Sequence, residues 1–260
     1  MVLRDIIPLF KVYMNPSAKD AVCEVLDSGY IGQGPKVDEF EKQIGDYFGN
    51  KKVITTNAGT SALHLALHLL KKPKPHWNED VFQGVAFVSH NWPGIEDGDE
   101  VLATPLTCTA SNWPIVANNL KIKWVDIDPT TLNMDLEDLE RKMTPKTKAI
   151  MGVHWGGYPL DLDEIRNIRA RFRKEHGWAP ALIEDGAHSI GTKYKGKYLG
   201  NHGNFVMNSL QAIKHITSVD GGLLYCPHDE LYERAKLLRW YGIDRSPKGR
   251  TDFRCEADIE

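Results

Sequence analysis

Short apolar runs rich in β-branched residues alternate along the chain with longer stretches of three-to-four-residue hydrophobic period. The short runs predict strands at Val53–Thr56, Glu100–Thr104, Ile122–Val125, Lys148–Val153, Ala181–Glu184, Asn204–Ser209 and Gly222–Cys226. The amphipathic stretches predict helices at Ser17–Leu26, Val37–Tyr47, Thr60–Leu70, Ser111–Ala117, Leu136–Lys142, Leu162–Glu175 and Glu230–Trp240. Parallel neighbours need a crossover connection, so helices between strands predict an α/β fold: a mostly parallel sheet with helices on both faces. Such sheets bind ligands beyond the carboxyl ends of their strands, which directs attention to the residues just after each run.

Residues 71–98 break the alternation. They are rich in Lys, Pro, Trp and Gly and hold one weak strand candidate, Val85–Val88. This stretch reads as an insertion, either a surface excursion or a lid or interface arm carrying Trp77 and Trp92. The chain then closes on a polar run, Arg254–Glu260.

Composition narrows the classes. The 260 residues are 42% hydrophobic and 26% charged, which excludes a disordered tail, a collagen-like chain and a coiled coil. Lys and Arg number 32 against 35 Asp and Glu, a net charge of −3, so no overall field favours nucleic acid or an anionic membrane. Four cysteines without a C-x-x-C pair read as reduced thiols rather than a disulfide framework or a zinc site. No apolar stretch nears the about 20 residues of a membrane span, and the N-terminus shows no signal-peptide core. The expectation is a soluble, cytoplasmic protein.

Three segments carry chemistry. Lys214 follows the Asn204–Ser209 run and precedes Thr217, Asp220 and Gly221-Gly222. An ammonium at the mouth of a buried strand is costly unless it is paired or used, and a Schiff base with an aldehyde is one use; a surface loop lysine is the plainer reading. In Ile183-Glu-Asp-Gly-Ala-His-Ser-Ile-Gly191, Asp185 stands where a carboxylate could hold a pyridinium nitrogen, with His188 three residues on. An N-cap acid beside a satisfied histidine explains the same segment. In Thr55-Thr-Asn-Ala-Gly-Thr-Ser-Ala-Leu-His64 a strand runs through Gly59 and Thr60 into a helix, an anion site or ordinary capping.

Their order decides between these readings. The glycine turn, then Asp185 with His188, then Ser209 five residues before Lys214, follows the order of fold-type I pyridoxal-phosphate enzymes. Ser28-Gly-Tyr-Ile-Gly-Gln-Gly-Pro35, Gly59-Thr-Ser-Ala-Leu-His-Leu-Ala66, Gly98-Asp-Glu-Val101, Val125-Asp-Ile-Asp-Pro129, Thr147-Lys-Ala-Ile150, Glu184-Asp185 and Lys214 with Asp220-Gly-Gly222 resemble the DegT/DnrJ/EryC1/StrS sugar aminotransferases. The resemblance runs from about Ile6 to about Arg245.

The resemblance implies the large domain of an aspartate aminotransferase-like, fold-type I transferase. That domain would cover residues 1–245, with an N-terminal segment 1–35 and the insertion 71–98, and residues 246–260 would begin a truncated C-terminal domain. It implies pyridoxal 5'-phosphate as cofactor, glutamate and a nucleotide-linked keto-sugar as substrates, a homodimer, and a place in polysaccharide or deoxyamino-sugar biosynthesis. Lys214 matches the lysine that carries the cofactor and shuttles the proton, and Asp185 the pyridinium partner. His188 matches a neighbour of the phenolic oxygen, Gly59 and Thr60 the phosphate cradle, and Ser209 a phosphate hydroxyl. Where the family stacks an aromatic on the ring, this sequence has Thr109, with Trp113 as the other candidate.

Rival readings are fewer. A sugar 3-dehydratase, the branch with histidine in place of the lysine, is kept open by His215, although Lys214 fits the register. A cofactor-binding or partner-dependent fragment without turnover is a second alternative. Gly29-Tyr-Ile-Gly-Gln-Gly34 has the wrong spacing for a dinucleotide fingerprint. His64 and His68, one turn apart, read as helix-edge histidines rather than metal ligands, and Glu184 as a polar strand-end residue. Lys193, Lys195 and Lys197 read as a solvated hairpin.

Overall fold

A computed structural model describes residues 8, 10–71 and 92–243. Its helices are α1 (Ala18–Ser28), α2 (Pro35–Phe48), α3 (Gly59–His68), α4 (Thr109–Ala117), α5 (Leu136–Lys142), α6 (Leu162–His176) and α7 (Asp229–Leu238). The strands are β1 (Val53–Thr56), β2 (Glu100–Ala103), β3 (Lys121–Trp124), β4 (Thr147–Val153), β5 (Ala181–Asp185), β6 (Lys193–Tyr194), β7 (Lys197–Tyr198), β8 (Phe205–Ser209) and β9 (Gly222–Tyr225). Each predicted strand and helix among the described residues appears, with ends displaced by a residue or two. Val85–Val88, Trp77 and residues 246–260 lie outside the described residues.

Seven strands form one sheet in the order β1-β9-β8-β5-β4-β2-β3, and β6 and β7 form a separate hairpin. β8, β5, β4, β2 and β3 pair in parallel, whereas β9 runs antiparallel to both β8 and β1. The strands therefore point one way except β9. That reversal brings the start of β9 to the same end of the sheet as the ends of β1 and β8.

Alternation along the strands builds two cores. Ile54, Val101, Ala103, Ala149, Met151, Ile183, Phe205, Met207 and Leu224 face one side, with Leu63 and Leu67 of α3, Ile115 of α4 and Leu231 of α7. Val53, Leu102, Ile150, Leu182, Val206, Leu223 and Tyr225 face the other, with Phe48 of α2, Leu139 of α5 and Ile165 and Ile168 of α6. Adjacent residues thus serve opposite faces, as period-two side chains must, and helices cover both. Asp135 and Asp161 start α5 and α6 by accepting the first-turn N–H groups.

The interface-arm reading of the insertion needs one correction. Trp92 is 3% exposed, meets Trp178 edge to face at 5.6 Å, and directs its indole N–H to Leu70 O. Packing of the indole makes Trp92 a core residue, not part of a lid. The basic hairpin is as expected: Lys195 and Gly196 take positive φ at a two-residue turn. Lys195 pairs with Asp163, and Lys193 lies over the Tyr198 ring.

Candidate active site

Register alone aligns one end of the sheet. Gly222 is opposite Thr56 on one side and Ser209 on the other, while Asp185 is opposite Met207 and Val153. The turn from β1 into α3 crosses this row. A Cβ on Gly222 would lie 2.5 Å from Ala58 O and 2.7 Å from Gly59 N. A Cβ on Gly59 would lie 2.8 Å from Met207 Sδ and 3.3 Å from Ser209 Cβ. Only glycine permits this approach, and it seats the first N–H groups of α3 beside Ser209. No side chain caps α3, so those N–H groups and the positive end of the helix dipole form an anion cradle. Ser209 Oγ accepts the Gln211 N–H, which leaves its proton to donate. Thr60, in the first turn, lines an adjoining cleft of about 870 Å³ with Thr56, Ser61, His64 and Trp240.

Asp185 ends β5 and is 4% exposed. Ser111 Oγ donates to its Oδ2 at 2.5 Å, and the Ala187 N–H donates to Oδ1 at 3.0 Å. An ionised carboxylate has about four acceptor positions, so capacity remains for another donor. The strand end is fixed as well, because the His154 N–H bonds Asp185 O at 3.0 Å and the Gly186 N–H bonds Met207 O at 2.8 Å.

His188 follows in the Gly186–Ser189 turn. Its ring meets Trp155 edge to face at 6.0 Å. Burial holds the His188 pKa below the ordinary imidazole range; the Lys214 and His215 charges push the same way and Asp185 opposes them. The Lys214 ammonium and the Asp185 carboxylate therefore both act on one ring. Lys214 is half-buried in a loop closed by Leu210 N–H to Gly221 O and Ser218 N–H to Leu210 O.

Gly59, Ser209, Asp185, His188 and Lys214 thus lie toward one end of the sheet, the carboxyl end of β1, β5 and β8. Thr109 is the first residue of α4, exposed, two positions before Ser111. Trp113 is 62% exposed and lines the 870 Å³ cleft. Glu184, read as a polar strand-end residue, is the penultimate residue of β5 and is wholly buried. It accepts from His154 Nε2 at 2.9 Å and from Asn204 Nδ2 at 2.7 Å. The Leu160 N–H bonds His154 Nδ1, so the ring proton belongs on Nε2, pointing at Glu184. Sequence reasoning missed Ser111, Thr107, His154 and Asn204. The Thr107/Ser111 spacing of four is the one local signal.

The sequence profile of the DegT/DnrJ/EryC1/StrS aminotransferase family matches residues 13–76 and 84–255. The chain belongs to this family. Its fold is similar to the crystal structure of AtS13 from Actinomadura melliaura, with TM-score 0.84 and 49% identity over 97% of this chain and 62% of that one. It is also similar to the sugar aminotransferase CalS13 from Micromonospora echinospora, with TM-score 0.83 and 42% identity over 96% of this chain and 62% of that one. The spore coat polysaccharide biosynthesis protein SpsC of Bacillus subtilis is 33% identical over 86% of this chain and 50% of its own length. The chain therefore spans between half and two thirds of these relatives.

Among the described residues no helix is long and apolar enough to cross a membrane.

Proposed function

We propose that the chain holds pyridoxal 5'-phosphate and moves an amino group from glutamate to a nucleotide-linked keto-sugar. One observation carries the proposal: the glycine cradle, the buried Asp185 carboxylate and Lys214 converge at the ligand-binding end of the sheet. These residues fit the cofactor. A phosphate matches the uncapped start of α3 and the Ser209 hydroxyl, and a ring N–H matches the remaining acceptor capacity of Asp185.

When bound, pyridoxal phosphate supplies a protonated ring that draws electrons from the reacting carbon. The chain does the rest. Gly59 and Thr60 present backbone N–H groups to the phosphate, and Ser209 adds its hydroxyl. Asp185 accepts the ring N–H and holds the ring in one orientation. His188, its pKa held below the ordinary imidazole range by burial and the nearby cations, would lie beside the phenolic oxygen. Lys214 would hold the cofactor through Nζ. Once the amine of glutamate displaces it, the freed Nζ would move the proton from the glutamate α-carbon to the cofactor. In the sugar half it would carry a proton the opposite way, from the cofactor to the sugar carbon that receives the amino group. Thr109 is proposed to cover the ring face.

Residues 1–245 are read as the large domain, and 246–260 as the beginning of a further domain. The reading includes a homodimer in the cytoplasm and a place in polysaccharide or deoxyamino-sugar biosynthesis. Lys214 itself supports transamination over 3-dehydration, since His215 is exposed beside it rather than in its place.

The test is the visible absorption of the chain with pyridoxal phosphate before and after glutamate. A visible band that bleaches with glutamate is expected. Lys214→Ala is expected to slow that bleaching by about 10²–10⁴-fold or more, the range for loss of a positioned acid–base group. A wild-type band that ignores glutamate, or an undiminished rate in Lys214→Ala, refutes the assignment.

A further inference from the structure

The carboxylate of Asp185 is held from two directions. The Ala187 N–H, from its own turn, reaches Oδ1. On the other side Ser111, the third residue of α4 and 1% exposed, reaches Oδ2 at 2.5 Å across 74 residues of sequence. Ser111 has one hydroxyl proton, and the carboxylate takes it. The 2.6 Å contact between Thr107 Oγ1 and Ser111 Oγ is then a bond in which Thr107 donates. The direction is thereby set: Thr107 O–H to Ser111 O–H to Asp185. Each donor polarises the next, which strengthens the last bond of the chain.

We propose that Ser111, backed by Thr107, is a positioning residue that presets the Asp185 carboxylate to receive the ring N–H of the bound cofactor. The inference rests on the cofactor reading above. Without Ser111, the Ala187 N–H alone restrains the carboxylate, which can then rotate about χ2. A packing role predicts something different. It would lower stability without altering how the cofactor sits.

The experiment uses the full chain with pyridoxal phosphate. It records binding affinity, the circular dichroism induced in the cofactor band, and the thermal midpoint of the cofactor-free protein. Ser111→Ala is expected to bind on the order of tenfold more weakly, in line with loss of a hydrogen bond to a charged group. Its induced dichroism per bound cofactor should also change. Ser111→Thr, which keeps the hydroxyl, should restore both. Thr107→Val should shift them the same way by a smaller factor, and serves if Ser111→Ala does not fold. In an Asp185→Asn background, Ser111→Ala should have little further effect, because the two act as a unit.

Unchanged affinity and dichroism in Ser111→Ala, with wild-type binding intact, overturns the positioning role alone. Equal losses from Ser111→Ala with and without Asp185 overturn it too. A wild-type chain that binds no pyridoxal phosphate overturns this inference together with the reading beneath it.

Discussion

His68 in the last turn of α3 shows how burial sets the charge of a single side chain. Burial, with Arg234, Lys71 and His64 nearby, pushes its pKa down to about 4. His64 is shifted in the same direction by burial and Lys71. In the unfolded chain an imidazole titrates near 6.5, so between that value and about 4 the unfolded state binds the extra proton. The contribution of His68 to folding stability is then fully present above about pH 6.5 and is lost as pH falls toward 4. The thermal midpoint is expected to drop across this window, and His68→Gln should flatten the drop. A variant whose midpoint falls as steeply as wild type removes His68 as the cause. At the same scale, the buried Glu184 with its His154 and Asn204 bonds is a structural group, because each of its oxygens has a protein donor.

Elements meet where side chains are missing. β9 passes under the β1–α3 turn, and the Gly222 position leaves no room for a methyl against Ala58 O and Gly59 N. Backbone cannot swing aside as a flexible side chain can. Gly222→Ala is therefore expected to cost about 1–3 kcal/mol, the usual range for overpacking, and to weaken pyridoxal phosphate binding by displacing Gly59. Urea unfolding and a cofactor titration measure the two effects, and a variant with wild-type values in both refutes the tight crossing. A second close approach joins the segments that follow β4 and β5: a Cβ on Gly157, which has a φ of 84°, would meet His188 O at 2.7 Å. This contact presses the Trp155–Gly157 turn against the segment bearing His188.

On the scale of the whole molecule, residues far apart in sequence tie the site's flank together. Glu41 of α2 accepts from Thr55 N–H, Thr55 Oγ1 and Arg239 Nη1, and Arg239 also bonds Thr55 O. Trp240 directs its indole N–H to Gln33. The end of α7 is thus fastened to α2 and β1, beside the 870 Å³ cleft. The Arg239 and Glu41 side chains are 11% and 12% exposed, so removing one leaves the other largely desolvated. Arg239→Ala is expected to destabilise the chain by about 1–3 kcal/mol. A denaturation midpoint equal to wild type would sink that expectation.

Hydrophobic period determined the elements and the layered α/β class, because a strand buried on both faces and a helix buried on one leave different spacings in any sequence. The ordered motifs around Gly59, Asp185, Ser209 and Lys214 were legible too, since they are local turns at strand ends. Tertiary structure decided what depends on residues meeting across the chain. Nothing near Gly222 signals that β9 runs backwards, because strand direction is set by pairing and not by composition. Nothing near Ser111 signals Asp185, because a hydroxyl and a carboxylate 74 residues apart become partners only when the first turn of α4 is brought to the end of β5. Trp92 likewise read as part of an exposed arm until Trp178 supplied the surface that buries it. Local chemistry is written in short stretches of sequence; partnership is a property of the folded chain.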